Sequence, residues 1–458
     1  MDSLRASLEA GEFVCSAELM LGRDHATSEV QAFLDEAARQ PEGIRFLSLT
    51  DLPGGNPALP PESFAAAVLE RGLVPIAHLS GKDVNRAYLE GRLHHLARLG
   101  VRDLLALTGD AQKDGFQGPG KPVHDLDSVQ ILWLIREFQK GISYQLGTRS
   151  VRLAPYEFFA GAVVNPFKVR EPDLMMQLYK MELKIAAGAR FLITQVEYDL
   201  RKLYELKQYM VRVGLDHIPV LANVYVPTAA IARMMQSGEL AGCLMPPDLL
   251  RRLETEKKPQ RLERAALMVA AARGLGFAGA HIGGFGLTHR DIAGIVDRSM
   301  EIGAGWRSRL DELTFESVGQ FYLFPKRPDG LSDGGGSIQN ALERPRPSWV
   351  QPAVGARPPA LYRRRFRRRA FFPKASGQRR RLLEGLPVPG RARPLRLVPE
   401  GILRLHELRR LHPGLSQLRR LLGQRLLQAA PQRPLRRFPP RWLLRSPPRS
   451  PLPLEPCL

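Results

Sequence analysis

From residue 12 onward, short runs of near-continuous apolar residues alternate with longer segments in which apolar residues recur every three to four positions. The short runs are EFVCSAEL (12–19), IRFLSLTD (44–51), LVPIAHLS (73–80), RDLLALTGD (102–110), FFAGAVVNP (158–166), ARFLITQVEY (189–198), HIPVLANVY (217–225) and FAGAHIGGFG (277–286). Runs that are apolar at consecutive positions predict strands buried on both faces, as in a parallel sheet covered by helices. The longer segments, such as DVNRAYLEGRLHHLARLG and EPDLMMQLYKMELKIAAGA, predict helices, and the second ends in Gly and Ala, a stop signal. Eight such units in some 300 residues predict an α/β fold, a (β/α)8 TIM barrel spanning residues 1–325. The alternative is an open doubly wound sheet. No GxGxxG follows the first run, which argues against its dinucleotide-binding version.

Polar residues gather at the carboxyl ends of the predicted strands: Glu18, Thr50 with Asp51, His78, Thr108 with Asp110, Asn165, Thr194 with Gln195, Asn223 with Tyr225, and the glycines of HIGGFG. In such barrels the catalytic face is built at those ends. The glycine-rich segment 111–124 is then a long loop on the active face.

Charge is divided unevenly. The 458-residue chain carries a formal net charge of +21, which by itself suggests nucleic acid or an anionic membrane as partner. Residues 331–458, however, hold 28 basic and 6 acidic residues, whereas 1–330 hold 39 and 40. The body is balanced, so no nucleic acid is expected to bind it. Cys15, Cys243 and Cys457 are far apart and form no CxxC pair, so neither a zinc site nor a disulfide framework is expected. No secretory signal and no membrane span are expected, and a reducing cytoplasm fits.

The ordered set AEL, LSLTD, AHL, LTGD and AGARFLITQ, with PGKPVHDLDSVQ after the fourth strand and FYLFP near 321, resembles the methylenetetrahydrofolate reductase family over about residues 10–325. That resemblance implies a barrel holding FAD at its strand ends. It implies reduction of 5,10-methylenetetrahydrofolate to 5-methyltetrahydrofolate in one-carbon metabolism and methionine synthesis. The reductant would be NAD(P)H or a reduced electron-carrier protein, and a homo-oligomer or a partner subunit is compatible. By matching position, Glu18 would be the general acid, and Asp110 would lie by the flavin's pyrimidine edge. Thr50, His78, Thr108, Gly109, Asn165 and Lys184 would contact flavin, and Gln195 would bind the pterin. Each has a structural alternative: Glu18 as a helix cap, His78 as a hydrogen-bonded core histidine, Lys184 on a solvated helix face, Gln195 as a strand-end amide. The segment LMLGRDHAT after the glutamate departs from the family's commoner phenylalanine and prolines and alters the entrance. A non-redox folate-binding subunit of the same fold is the alternative function.

Residues 326–458 form an Arg/Pro/Leu-rich tail with no recognisable domain. From 331, 27 of the 28 basic residues are Arg, Lys374 is the exception, and 20 of the chain's 38 prolines lie there. A cysteine-rich C-terminal domain, which extended members of the family carry, has no counterpart in it. Three readings stand: a nucleic-acid-binding arm, a disordered linker or membrane-surface segment, and an out-of-frame translation of a GC-rich gene, which the composition favours. An amphipathic stretch at 401–428 could form helices around Pro413.

Overall fold

In the computed structural model, residues 3–335 are described, apart from 24–26, 41–43, 197 and 241. The stretch 401–428, Lys374 and Cys457 lie outside the described residues, as do Asp24, His25 and Ala26 of the altered entrance loop.

Eight parallel strands close into a barrel: β1 (Val14–Leu19), β2 (Phe46–Leu49), β3 (Val74–Ser80), β4 (Asp103–Leu107), β5 (Phe159–Val164), β6 (Phe191–Thr194), β7 (Val220–Tyr225) and β8 (Gly279–Gly283). Neighbours in space are neighbours in sequence, and β8 closes on β1 with Ser16 opposite His281. Helices follow the strands and cover the outside, burying the outward-facing residues in one large core.

The inward-facing residues form a second, separate core. Val14, Phe46, Ile76, Leu105, Phe159, Phe191, Ile193 and Leu221 fill the lower barrel, and Leu4 and Leu8 of the N-terminal helix Leu4–Glu9 join them. Phe159 and Phe191 stack with centroids 5.3 Å apart. Gly161 makes room for that pair, since a Cβ at 161 would overlap the Phe191 ring. Two residues further along most strands the same face turns polar: Ser16 and Glu18 on β1, Ser48 on β2, His78 on β3, Asn223 on β7 and His281 on β8. The barrel therefore has an apolar floor and a polar mouth.

One element lies outside the predicted rhythm. Ser143–Leu146 and Arg149–Arg152 pair as an exposed antiparallel hairpin before β5.

The chain after the last helix packs back across the barrel, and this packing continues past 325 as far as Gly335. The Glu205 carboxylate accepts from Leu323 N, Phe324 N and the Ser332 hydroxyl at 2.8–3.0 Å. Arg201 donates to Ser332 Oγ and to Phe324 O and lies over the Tyr322 ring. Tyr322 donates to Asp199 at 2.7 Å. Glu205 and Ser332 are 1% and 0% exposed, so this strap belongs to the folded unit. Buried charges of this kind persist only when their partners are present.

Candidate active site

Glu18 occupies the penultimate position of β1, facing inward. Its Oε2 lies 3.2 Å from Nε2 of His281, whose Nδ1 lies 2.9 Å from Ser16 Oγ. Gly283 on β8 leaves the space that this carboxylate fills; a Cβ there would come within 3.2 Å of Glu18 Cβ. Across the mouth, His78 Nε2 is 2.6 Å from Ser48 Oγ. Burial lowers the His78 pKa from 6.5 to about 4, although Glu18 pulls it upward, so its ring is neutral at physiological pH. For Glu18, burial acts to raise the pKa, but the hydrogen bond and electrostatic pull of His281 outweigh it and hold the carboxyl below its usual range. Among the described residues Glu18 caps no helix. It is a partly exposed carboxylate beside two imidazoles, and His281 is half of that arrangement.

Asn223, adjacent to His281 in register, contributes a buried side-chain oxygen with no partner. Buried acceptors are normally satisfied, and an orphan at a site's wall marks where a ligand donor would fit.

A second group lies at the ends of β4 and β5. Gly109 has φ +87°, and a Cβ there would overlap the Ser80 hydroxyl. Only glycine satisfies both the backbone and the space. Asp110 follows, half-buried, with no hydrogen bond to its carboxylate from the described residues; burial raises its pKa and Lys113 opposes this. Thr108 Oγ1 is 3.1 Å from Ser128 Oγ and 3.4 Å from Lys180 Nζ. Lys180 also pairs with Asp127 at 3.1 Å. Lys184, one turn along the same helix Glu171–Ala187, is not on a solvated face: it is 9% exposed and donates to Val163 O at 2.5 Å. Burial lowers its pKa to about 8, with Lys180 adding to the effect. The cation presented to the Thr108–Asp127 surface is thus Lys180.

Thr50 uses its hydroxyl on backbone, accepting from Leu21 N at 2.8 Å and donating to Leu19 O at 3.3 Å. Asp51 accepts from Ser80 N and from Arg92, itself bound to Glu62, all three nearly fully buried. These contacts brace the ends of β1, β2 and β3. Asn165 accepts from Phe167 N and donates to Gly242 O, and Gln195 accepts from Val196 N at 3.0 Å. Both therefore sit under the segment around Gly242, where an added Cβ would come within 3.2 Å of Gln195 Nε2. The loop that follows β4 is anchored rather than loose: Lys113 N donates to Gly55 O, its Nζ reaches Glu239 O, and Asp114 pairs with Arg23. Segments following β1, β2 and β7 thus meet the loop after β4 over the mouth.

The structure brings Glu18 and His78 into one cluster and Thr108, Gly109 and Asp110 into a second, with Asn165 and Gln195 under the Gly242 segment. His281 and Lys180 are the residues that sequence reasoning missed, whereas Asn223 stood among the strand-end polar residues without an assigned role. The signal for His281 was polarity at alternate positions within runs that are otherwise apolar.

Among solved structures, an uncharacterized protein from Clostridium thermocellum that binds two copies of 5-methyl-5,6,7,8-tetrahydrofolic acid is 11% identical with a TM-score of 0.44, the match covering 65% of this chain and 98% of that one. Dihydropteroate synthase from Thermus thermophilus in complex with 6HMPPP is 16% identical with a TM-score of 0.35, covering 63% and 93%. Methylenetetrahydrofolate reductase 2 of Schizosaccharomyces pombe is 25% identical over 183 residues, 39% of this chain but only 27% of that relative's length. The family model for methylenetetrahydrofolate reductase matches residues 3–273, more than half of the chain. The chain belongs to the methylenetetrahydrofolate reductase family.

Proposed function

We propose that this protein is a cytoplasmic, flavin-dependent enzyme that reduces 5,10-methylenetetrahydrofolate to 5-methyltetrahydrofolate, supplying one-carbon metabolism and methionine synthesis. The observation that carries this reading is the Ser16–His281–Glu18 line inside the mouth of a barrel of this family. It joins a carboxyl group to an imidazole that can hold or pass on its proton.

The residues fit a flavin. Gly109 leaves backbone open to close approach, Asp110 has a carboxylate with no hydrogen bond from the described residues, and Lys180 presents an ammonium beside Thr108. Thr50, His78, Asn165 and Lys184 shape the surrounding wall. When bound, FAD would supply hydride transfer to the folate, being recharged by hydride from NAD(P)H or by two electrons from a reduced carrier protein together with a proton from solvent. The folate would use the Asn223 acceptor and Gln195, whose amide suits the pterin's paired donors and acceptors.

Glu18 has to be protonated to act as an acid, yet His281 keeps it ionised in the free protein. Bound ligand would remove the water that still reaches Glu18, whose side chain is 21% exposed. Desolvation favours the neutral carboxyl, and His281 is placed to deliver the proton. Glu18 then protonates the departing ring nitrogen of the folate, the nitrogen–methylene bond breaks to leave an iminium, and the hydride adds to the methylene carbon.

The test is Glu18→Gln in anaerobic half-reactions. The variant should bind FAD and be reduced by the donor much as wild type, while the folate half-reaction slows by about 10²–10⁴-fold. Equal slowing of both half-reactions, or of neither, would remove Glu18 from the role of acid. Failure of the wild-type protein to bind FAD at all would favour the non-redox folate-binding subunit.

A further inference from the structure

A second charged crevice lies on the outer wall at the carboxyl end of β7. Tyr198, Tyr225, Pro227, Arg261, Arg264 and Met268 line this small, partly open crevice. Both arginines come from the first turns of the helix Lys258–Gly274. That helix runs back toward the start of β8, so its N-terminal, electropositive end faces the same end of the barrel as the candidate active site.

The two arginines are not equivalent. Arg264 is ion-paired with Glu256. Arg261 has a buried Nε–H with no hydrogen-bond partner. A guanidinium donor removed from water and left unmatched is costly, and its cheapest partner is an oxyanion, which accepts from the planar fork in a charge-assisted bond. The surroundings favour negative charge. Arg252 lies close enough to help depress the Arg264 pKa to about 10, an effect led by burial, with Tyr198 and Glu312 opposing it. Among the described residues near Arg264, Glu256 is engaged by Arg264 and Glu312 by Arg309. Among the described residues Arg261 makes no ion pair.

We infer that this crevice is an oxyanion subsite, in which Arg261 binds a carboxylate or phosphate group with Arg264 beside it. It is independent of the flavin reading, because it concerns the protein without cofactor or folate. Isothermal titration of the full-length protein with inorganic phosphate and, separately, with free glutamate tests it. One of the two should bind saturably to wild type, and Arg261→Gln should weaken that binding by at least about tenfold. Arg251→Gln serves as control, since Arg251 is an exposed arginine paired with Asp248 on the outer surface; it should leave the affinity unchanged. Comparison between variants also removes any background from the basic segment after 335. Preference for phosphate or for glutamate identifies the ligand group. Arg261→Lys keeps the charge but not the Nε donor and should weaken binding too, which preserves the test if the glutamine variant fails to fold. No saturable binding of either anion, or equal affinity in wild type and both Arg261 variants, overturns the inference.

Discussion

Asp103 opens β4 at the end of the barrel away from the mouth, which makes it a probe of the fold uncoupled from chemistry. It is 2% exposed and its Oδ1 has no hydrogen-bond partner. Burial raises its pKa from 3.8 to about 7, with Arg102 pulling the other way. In the unfolded chain an aspartate loses its proton near pH ~3.9. Between about pH 4 and pH 7 the native protein therefore holds a proton that the unfolded chain has released. Stability falls as pH rises through that window, and the full penalty is present above pH 7. Integrated from pH 5 to pH 8, the linkage amounts to about 2–3 kcal/mol. Asparagine cannot ionise. The stability of Asp103→Asn relative to wild type should thus improve by about 2–3 kcal/mol between pH 5 and pH 8. Whatever the amide costs through its own buried groups is the same at both pH values and cancels in the difference. Urea unfolding followed by circular dichroism at the two pH values measures this. A difference between variant and wild type that does not change with pH would show that Asp103 titrates normally, and would refute the reasoning.

Two further outcomes follow from packing. A chain ending at Gly335 should unfold like the full-length barrel, whereas one ending at 325 strips Arg201 and Glu205 of Ser332 and should lose on the order of 2–5 kcal/mol in urea titrations; equal stability of the two would show that the strap contributes nothing. Gly161→Ala places a methyl group inside the Phe191 ring and should cost about 1–3 kcal/mol, read from the urea midpoint; an unchanged midpoint would mean that the stacked pair in the barrel floor shifts freely.

All eight strands were legible because each is a run too apolar to be anything but buried. Their ends were less so. RDLLALTGD predicts a strand to 110, yet pairing stops at Leu107; Thr108, Gly109 and Asp110 turn away because Gly109 adopts a positive φ. The hairpin at 143–152 escaped notice because its exposed residues leave no burial pattern. Lys180 and Lys184 look alike on a helical period, and only the fold shows that one meets Asp127 while the other is buried against a strand carbonyl. The strap to Gly335 lay beyond any hydrophobic rhythm, since polar partners on the helix Leu200–Val213 hold it in place.

His281 explains why a site can be half visible. Single polar residues inside apolar runs are uninformative by themselves, but Ser16, Glu18, Ser48, His78, Asn223 and His281 share one parity relative to the apolar residues that fill the floor. In a closed barrel that parity means one thing, because alternate residues of every strand face the interior. The floor needs no partners and is sealed by Leu4 and Leu8. The mouth buries imidazole, hydroxyl and carboxyl groups that would be costly unless each bonded another, and most do so in pairs: Ser16 with His281, His281 with Glu18, Ser48 with His78. Among the described residues two polar groups break the pairing, the Asn223 oxygen and the half-buried Asp110 carboxylate. Both lie on the same rim as Glu18, and it is this that supports the proposal of ligand binding there.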